Sequence, residues 1–290
     1  MKSRSALRRN LILVMIVLIG LSAASVLAQP TKATTKTKRT TTTKKTVTTK
    51  KAVTPKSTAE SQATFTLIQN FIFDAYHPKS FIMDGTVDYC SFDAFTSFGI
   101  IARGIYPINE KLNIGGKVGF AGWSPDKGDG ESGLLDPVVI GTYRLMKTGP
   151  TTISGTAYIS LPIGSEDIGE GELNFGFGGL IRHNLDSRMA ITGGLGIKFY
   201  EIESFNFNSG KKETEHEAGL GLNAGFIYAF QPKTAFIGEL IFDDKIEYTL
   251  LSAGMAHKLA SGHQLRGALG LGLDDGAPDI MLLFSFMPAL

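Results

Sequence analysis

A strict two-residue alternation, carried over segments longer than an ordinary strand, constrains this chain most. Over residues 189–200, Met189, Ile191, Leu195, Ile197 and Phe199 share one face, while Ala190, Thr192, Gly194, Gly196, Lys198 and Tyr200 share the other. Residues 218–231 repeat the pattern: Ala218, Leu220, Leu222, Ala224, Phe226, Tyr228 and Phe230 alternate with mostly small or polar partners. Residues 111–122, 152–163 and 263–274 do the same, and helical spacing is nearly absent beyond residue 60. Strands of soluble proteins are mostly about 5–6 residues long. Repeated strands of ten or more, greasy on one face and small or polar on the other, match tilted strands that cross a bilayer. The alternation predicts an all-β, antiparallel, up-and-down transmembrane β-barrel of about 12 strands. Eleven strands lie beyond residue 94, and the first falls in either 65–73 or 81–90.

Alternation alone does not separate a membrane barrel from a soluble sandwich, because both have period two. The N-terminus does. Residues 1–10 are basic, 11–21 form the apolar run LILVMIVLIGL, and Val26, Leu27 and Ala28 before Gln29 fit a small-x-small cleavage site. That is the pattern of a secretory signal peptide over 1–28. The single cysteine, Cys90, excludes an intrachain disulfide framework and any Cys-rich zinc site. From Thr31 to Thr58 the chain holds 13 Thr, eight Lys and one Arg, with no aromatic residue. A segment with so little to bury cannot offset its ordering entropy, so 29–60 is expected to be a disordered Thr/Lys-rich linker ahead of a barrel over 61–290. It reads as a solvated spacer or, more sharply, as a polycation that contacts a cell-wall polymer through Thr31 to Thr58. Nucleic acid is not an expected partner of an exported chain.

The connections between strands fall into two alternating sets. The short set, at 109–111, 147–151, 183–188, 231–233 and 258–263, has a net charge of +3. The other set, at 123–131, 164–170, 201–217, 243–245 and 274–279, is mostly longer and carries 16 acidic groups against four lysines. An outer-membrane barrel has one rim of short periplasmic turns and one of longer external loops. The segregation therefore places both chain ends of the barrel on the periplasmic side, in the cell outer membrane. Tyr106, Phe120, Trp123, Tyr143, Phe199, Tyr228 and Phe230 lie near predicted strand ends, where aromatic girdles form.

Residues 159–165 (ISLPIGS), an acidic loop, and then 169–173 (GEGEL) opening the next strand carry a resemblance, as does the turn 106–112 (YPINEKL). They resemble the Gram-negative outer-membrane barrels found with phenol-degradation gene clusters, the MetA-pathway transporter-like family. The resemblance implies passage of a small solute, and outer-membrane lipid and the barrel-assembly machinery as partners. The chain departs from many such barrels in its ending, Phe284-Ser285-Phe286-Met287-Pro288-Ala289-Leu290, which does not close on Phe.

Chemistry is hard to find. No G-x-S-x-G or H-E-x-x-H occurs, and the glycine runs at 193–196, 219–221 and 270–272 lie inside alternating strands with no helix to follow them. Residues 126–131 (DKGDGE) resemble a calcium loop without its spacing or distal Glu. No catalytic residue, metal ligand or cofactor is assigned. The polar strand faces carry the candidate surface. By alternation Arg103, Lys117, Asp136, Arg144, Glu172, Arg182, Lys198, Glu239 and Arg266 face the lumen, with Lys111 and Glu247 beside them. Charge in a barrel faces water or an opposite charge, because lipid penalises it. The lumen is either a polar path that selects solutes or one knitted shut by ion pairs. Three functions stand in order: a channel or transporter for a small, hydrophobic or aromatic solute; a tethering envelope barrel with a polycationic tail; and an outer-membrane hydrolase built from a His, a Ser and an Asn or Asp, for which no spacing singles out a set.

Overall fold

The computed structural model describes residues 65–290, apart from 167, 170 and 207–210. The signal peptide and the Thr/Lys linker lie outside the described residues.

The alternating segments form β1 (Ile82–Ser91), β2 (Phe95–Pro107), β3 (Leu112–Pro125), β4 (Glu131–Leu134), β5 (Val138–Thr148), β6 (Thr151–Ser160) and β7 (Asn174–Asn184). They continue as β8 (Met189–Asn206), β9 (Lys211–Gln231), β10 (Thr234–Asp243), β11 (Tyr248–Lys258), β12 (Gln264–Gly272) and β13 (Ile280–Met287). Each pairs antiparallel with its neighbours, and β1 pairs with β13 from Gly85 opposite Phe286 to Ser91 opposite Ile280, so the sheet closes on itself. β4 and β5 share one place in the wall: β3 pairs with β4 over 120–123 and with β5 over 112–117. The break between them falls at Leu135, Asp136 and Pro137, and Pro137 has no N–H to give the ladder. The barrel therefore has twelve strand positions.

Of the two places expected for the first strand, Ile82–Ser91 takes the wall. The loop expected over 201–217 is largely strand, since β8 runs on to Asn206 and β9 begins at Lys211. Lys111 and Glu247, expected in the lumen, are exposed in turns; Glu247 has φ 49°.

The outer face is apolar and open. Val87, Ile100, Phe177, Leu195 and Phe284 are exposed, while the alternate positions Asp84, Thr86, Arg103, Arg182 and Arg266 are buried. A soluble sandwich has the opposite arrangement, and this one suits a lipid surround. Tyr106, Tyr143 and Phe230 are exposed near the short-turn end, and Phe120 towards the long-loop end. Phe175 and Phe199 stack at 4.9 Å between centroids.

Residues 65–78 run inside the wall. They contain a single 3₁₀ turn, Phe71–Phe73, and Phe65, Leu67, Ile68 and Phe71 have no exposed surface. One side of this inner segment packs with Ile227, Ala235, Ile237, Leu250 and Leu283; the other packs with Ile105, Ile140 and Met287. The wall makes room for it. A Cβ at Gly225 would lie 2.4 Å from Leu67 Cδ2, and one at Gly254 would lie 2.9 Å from Ile68 Cδ1.

Candidate functional site

The short-turn half of the lumen is filled. Four of its inward charges, Glu239, Arg182, Arg103 and Arg266, point at the inner segment and bond to it. Glu239 on β10 accepts hydrogen bonds from the backbone N–H of Ile68 (2.7 Å), Gln69 (2.9 Å) and Asn70 (2.9 Å). Arg182 on β7 donates to Asp74 Oδ2 at 2.6 Å and to the Phe65 carbonyl at 2.9 Å. The Asp84 carboxylate on β1 is fully buried and accepts from Arg103 (3.0 and 2.6 Å), Arg266, Ser285 (2.9 Å) and Thr86. Arg103 also reaches the Gln69 carbonyl at 2.8 Å, and Arg266 reaches Thr66 Oγ1 at 3.1 Å and the Leu67 carbonyl at 3.2 Å. Both guanidinium groups lie over the Phe71 ring, 5.4 and 5.3 Å from its centroid. Buried charges are tolerated only when paired and hydrogen-bonded. Here the pairing ties the inner segment to β2, β7, β10 and β12.

The long-loop half differs. Above the inner segment lies a chamber of about 190 Å³. Asn70 and Phe73 form its floor, Thr156 and Tyr158 one side, and the glycines Gly178, Gly194, Gly196 and Gly221 the other. Phe73 and Tyr158 meet edge to face at 5.7 Å. Lys198 lines the upper side, where it and Tyr200 both bond the buried Asp243 carboxylate. Opposite charges are thus paired at the chamber mouth, and the surface below them is glycine backbone, rings and aliphatic side chains with Asn70, Thr156 and Asn223 among them.

The nine lumen candidates therefore divide. Arg103, Arg182, Glu239 and Arg266 converge on the inner segment, and Lys198 lines the chamber. Lys117 is half-buried on β3 opposite Arg103, and Arg144 is half-buried on β5. Glu172 is half-buried in the loop before β7. Asp136 stands apart at the wall break, where it accepts from the N–H of Gly164 (2.7 Å) and Gly171 (3.0 Å). Ser165 completes that dock by accepting from Leu134 N at 2.9 Å. The stretch 159–165 is thus the end of β6 and a loop folded over the broken strand. Sequence reasoning missed Asp74, Asp84, Asn70, Asp243 and Ser285. Asp84 and Ser285 sit at inward parity on β1 and β13 and could have been read from it.

The inner segment leaves the lumen through His77. Asn113 Nδ2 on β3 donates to His77 Nδ1 at 3.0 Å, which places the ring proton on Nε2, 2.9 Å from Ser154 Oγ on β6. Burial, and next to it Arg144, lower the His77 pKa to about 4; Lys147 acts in the same direction, and Asp74 and the Asn113 bond oppose it. Among the described residues no group of three or more His, Cys, Asp or Glu is placed to hold a metal ion.

The family model described as "Putative MetA-pathway of phenol degradation" matches residues 40–287. Among solved structures, the COG4313 outer membrane channel from Pseudomonas putida F1 superposes with a TM-score of 0.60 at 17% identity, covering 75% of this chain and 98% of that one. The NanC porin superposes with a TM-score of 0.53 at 8% identity, covering 72% of this chain and 100% of that one. At these identities the likeness is one of fold. No curated protein matches the chain.

Proposed function

Since the chain belongs to the family described as "Putative MetA-pathway of phenol degradation", we propose that it is an outer-membrane channel that takes up one small, largely apolar solute at a time. The observation that carries this reading is the chamber. Its volume of about 190 Å³ lies below the roughly 300–1,000 Å³ of pockets for drug-sized ligands. Its mostly apolar surface sets glycine backbone against the Phe73 and Tyr158 rings, with Asn70, Thr156 and Asn223 as polar points, which suits a single ring better than a hydrated sugar or peptide. Two charges near it are held in pairs, Lys198 with Asp243 above and Arg182 with Asp74 below. The apolar outer band supports placement in outer-membrane lipid. The paired lumen charges hold structure together, which agrees with a transport role.

The test is uptake into liposomes that carry the full chain. Ring-sized apolar solutes are expected to enter faster than sugars of equal mass, with low ionic conductance in planar bilayers. Equal rates for both solute types, or none for either, would overturn the reading.

A further inference from the structure

His77, Ser154 and Asn113 form a set that invites two readings. In one, it is a nucleophile, a base and an orienting amide. The distances of 2.9 and 3.0 Å fit, and the buried, unpartnered Asn113 Oδ1 would complete the set if the amide were turned over. Charge and access decide against it. Acyl transfer passes through an imidazolium, and here Arg144 and Lys147 on β5 face that ring. The base would then titrate near 4, far from working pH. Ser154 has no exposed surface at all, so no carbonyl can reach its Oγ.

The same features make a good latch. We propose that the His77–Asn113–Ser154 contact is a proton-operated latch that holds the inner segment in the barrel when His77 is neutral and releases its short-turn end when His77 is protonated. Neutral His77 accepts from Asn113 and donates to Ser154, so both bonds are satisfied. A proton on Nδ1 sets N–H against the Asn113 NH₂ and adds a cation beside Arg144 and Lys147. Turning the amide over would offer Oδ1 to that proton, but it would take from the Tyr76 carbonyl the long 3.5 Å contact with Nδ2. β3 and β6 contribute only neutral partners, Asn113 and Ser154, and the one facing carboxylate, Asp74, is already bonded to Arg182. Beyond the latch the chain continues through the exposed Lys79 and Ser80 into β1, which leaves room for the strap to swing out.

The sign follows from the direction of the shift. The folded-state value lies below that of a free imidazole, about 6.5. Closure is therefore unaffected above pH 6.5, and weakens as pH falls from 6.5 to about 4, where further acid adds little. Over that window the ratio of closed to released strap falls by up to about 300-fold.

The proposal rests on the channel reading for its purpose, but its test does not use transport. Spin labels on Lys79→Cys and Asp186→Cys, in the full chain with Cys90→Ser, report the distance from the strap to a wall turn. Between pH 7 and 4 that distance is expected to lengthen and broaden. His77→Gln should hold the closed distance throughout, and His77→Lys should show the released distance at pH 7. A heat-shifted compact band on SDS gels checks that each variant is folded. A distance that does not change with pH, or the same change in His77→Gln, overturns the latch. So does labelling of Ser154 by a fluorophosphonate, which would restore the catalytic reading. Uptake measured in parallel tests the channel reading separately: a strap that moves without any solute passing leaves the latch standing and removes the channel.

Discussion

The two halves of the lumen are built on one wall with one alternation, yet they are filled in opposite ways. In the short-turn half, inward positions carry Arg103, Arg182, Glu239 and Arg266, and a second layer of chain saturates them. In the long-loop half, inward positions on β7, β8 and β9 are largely glycine, and among the described residues none fills the space they leave. The contrast teaches that polarity inside a barrel does not by itself mark a path. The charged half is the closed one, and the featureless half is the one with room.

The sharpest way to break the contrast is to empty the filled half. Removing residues 66–79 should raise single-channel conductance by roughly tenfold or more, since a twelve-strand bore lies between side-chain-filled and open barrels. Asp84→Ala comes next. It leaves two buried guanidinium groups without their carboxylate, which should destabilise the barrel by about 3–5 kcal/mol in urea titrations. Glu239→Gln keeps the shape but weakens three bonds to backbone N–H, so the inner segment should lose about 1–3 kcal/mol, read as faster proteolysis near residue 70. On the other side of the comparison stands Gly221→Leu, whose Cβ would meet the Lys198 stem first, at 2.7 Å from Cε. It should cut uptake of ring-sized solutes while changing stability by about 1 kcal/mol or less. The smallest effect belongs to the half-exposed pair above the chamber: Glu217→Gln, which unpairs Lys245, should cost under about 0.5 kcal/mol in the same titrations.

Strand parity made the wall legible. It separates Leu195 and Ile197 outside from Gly194 and Gly196 inside, and it gave twelve positions even though β4 and β5 divide one of them. Parity is silent about whatever enters the lumen. The run FTLIQNFIF from residue 65 alternates weakly because it is apolar on both sides: Phe65, Leu67 and Phe71 on one, Ile68 and Ile72 on the other. A lipid-facing strand needs only one greasy face, whereas an element buried all round needs both. That distinction separates 65–73 from 82–91 without a structure. The convergence of Arg103 and Arg266 on Asp84 was less accessible, because it depends on which strands become neighbours when the sheet closes. His77 was visible as a residue, but not as a partner of Ser154 and Asn113, which lie 77 and 36 positions away.

The Asp84 cluster also bears on how such a chain is made. Its members sit on β1, β2, β12 and β13, the four strands that flank the joint between the beginning and the end of the wall. The Asp84–Ser285 bond spans 201 positions, so it forms only after nearly the whole wall has been laid down. Contacts so distant in sequence are slow to find one another. Arg103 and Asp84, 19 positions apart on one hairpin, can pair early, as can Arg266 and Ser285, but the two halves of the cluster meet only when the seam closes. A sheet joined one strand short, or one register out, would strand those charges. The cluster thus ties correct closure of the ring to the satisfaction of its buried charges: all of its bonds are made together only in the seam where the first and last strands meet in this register.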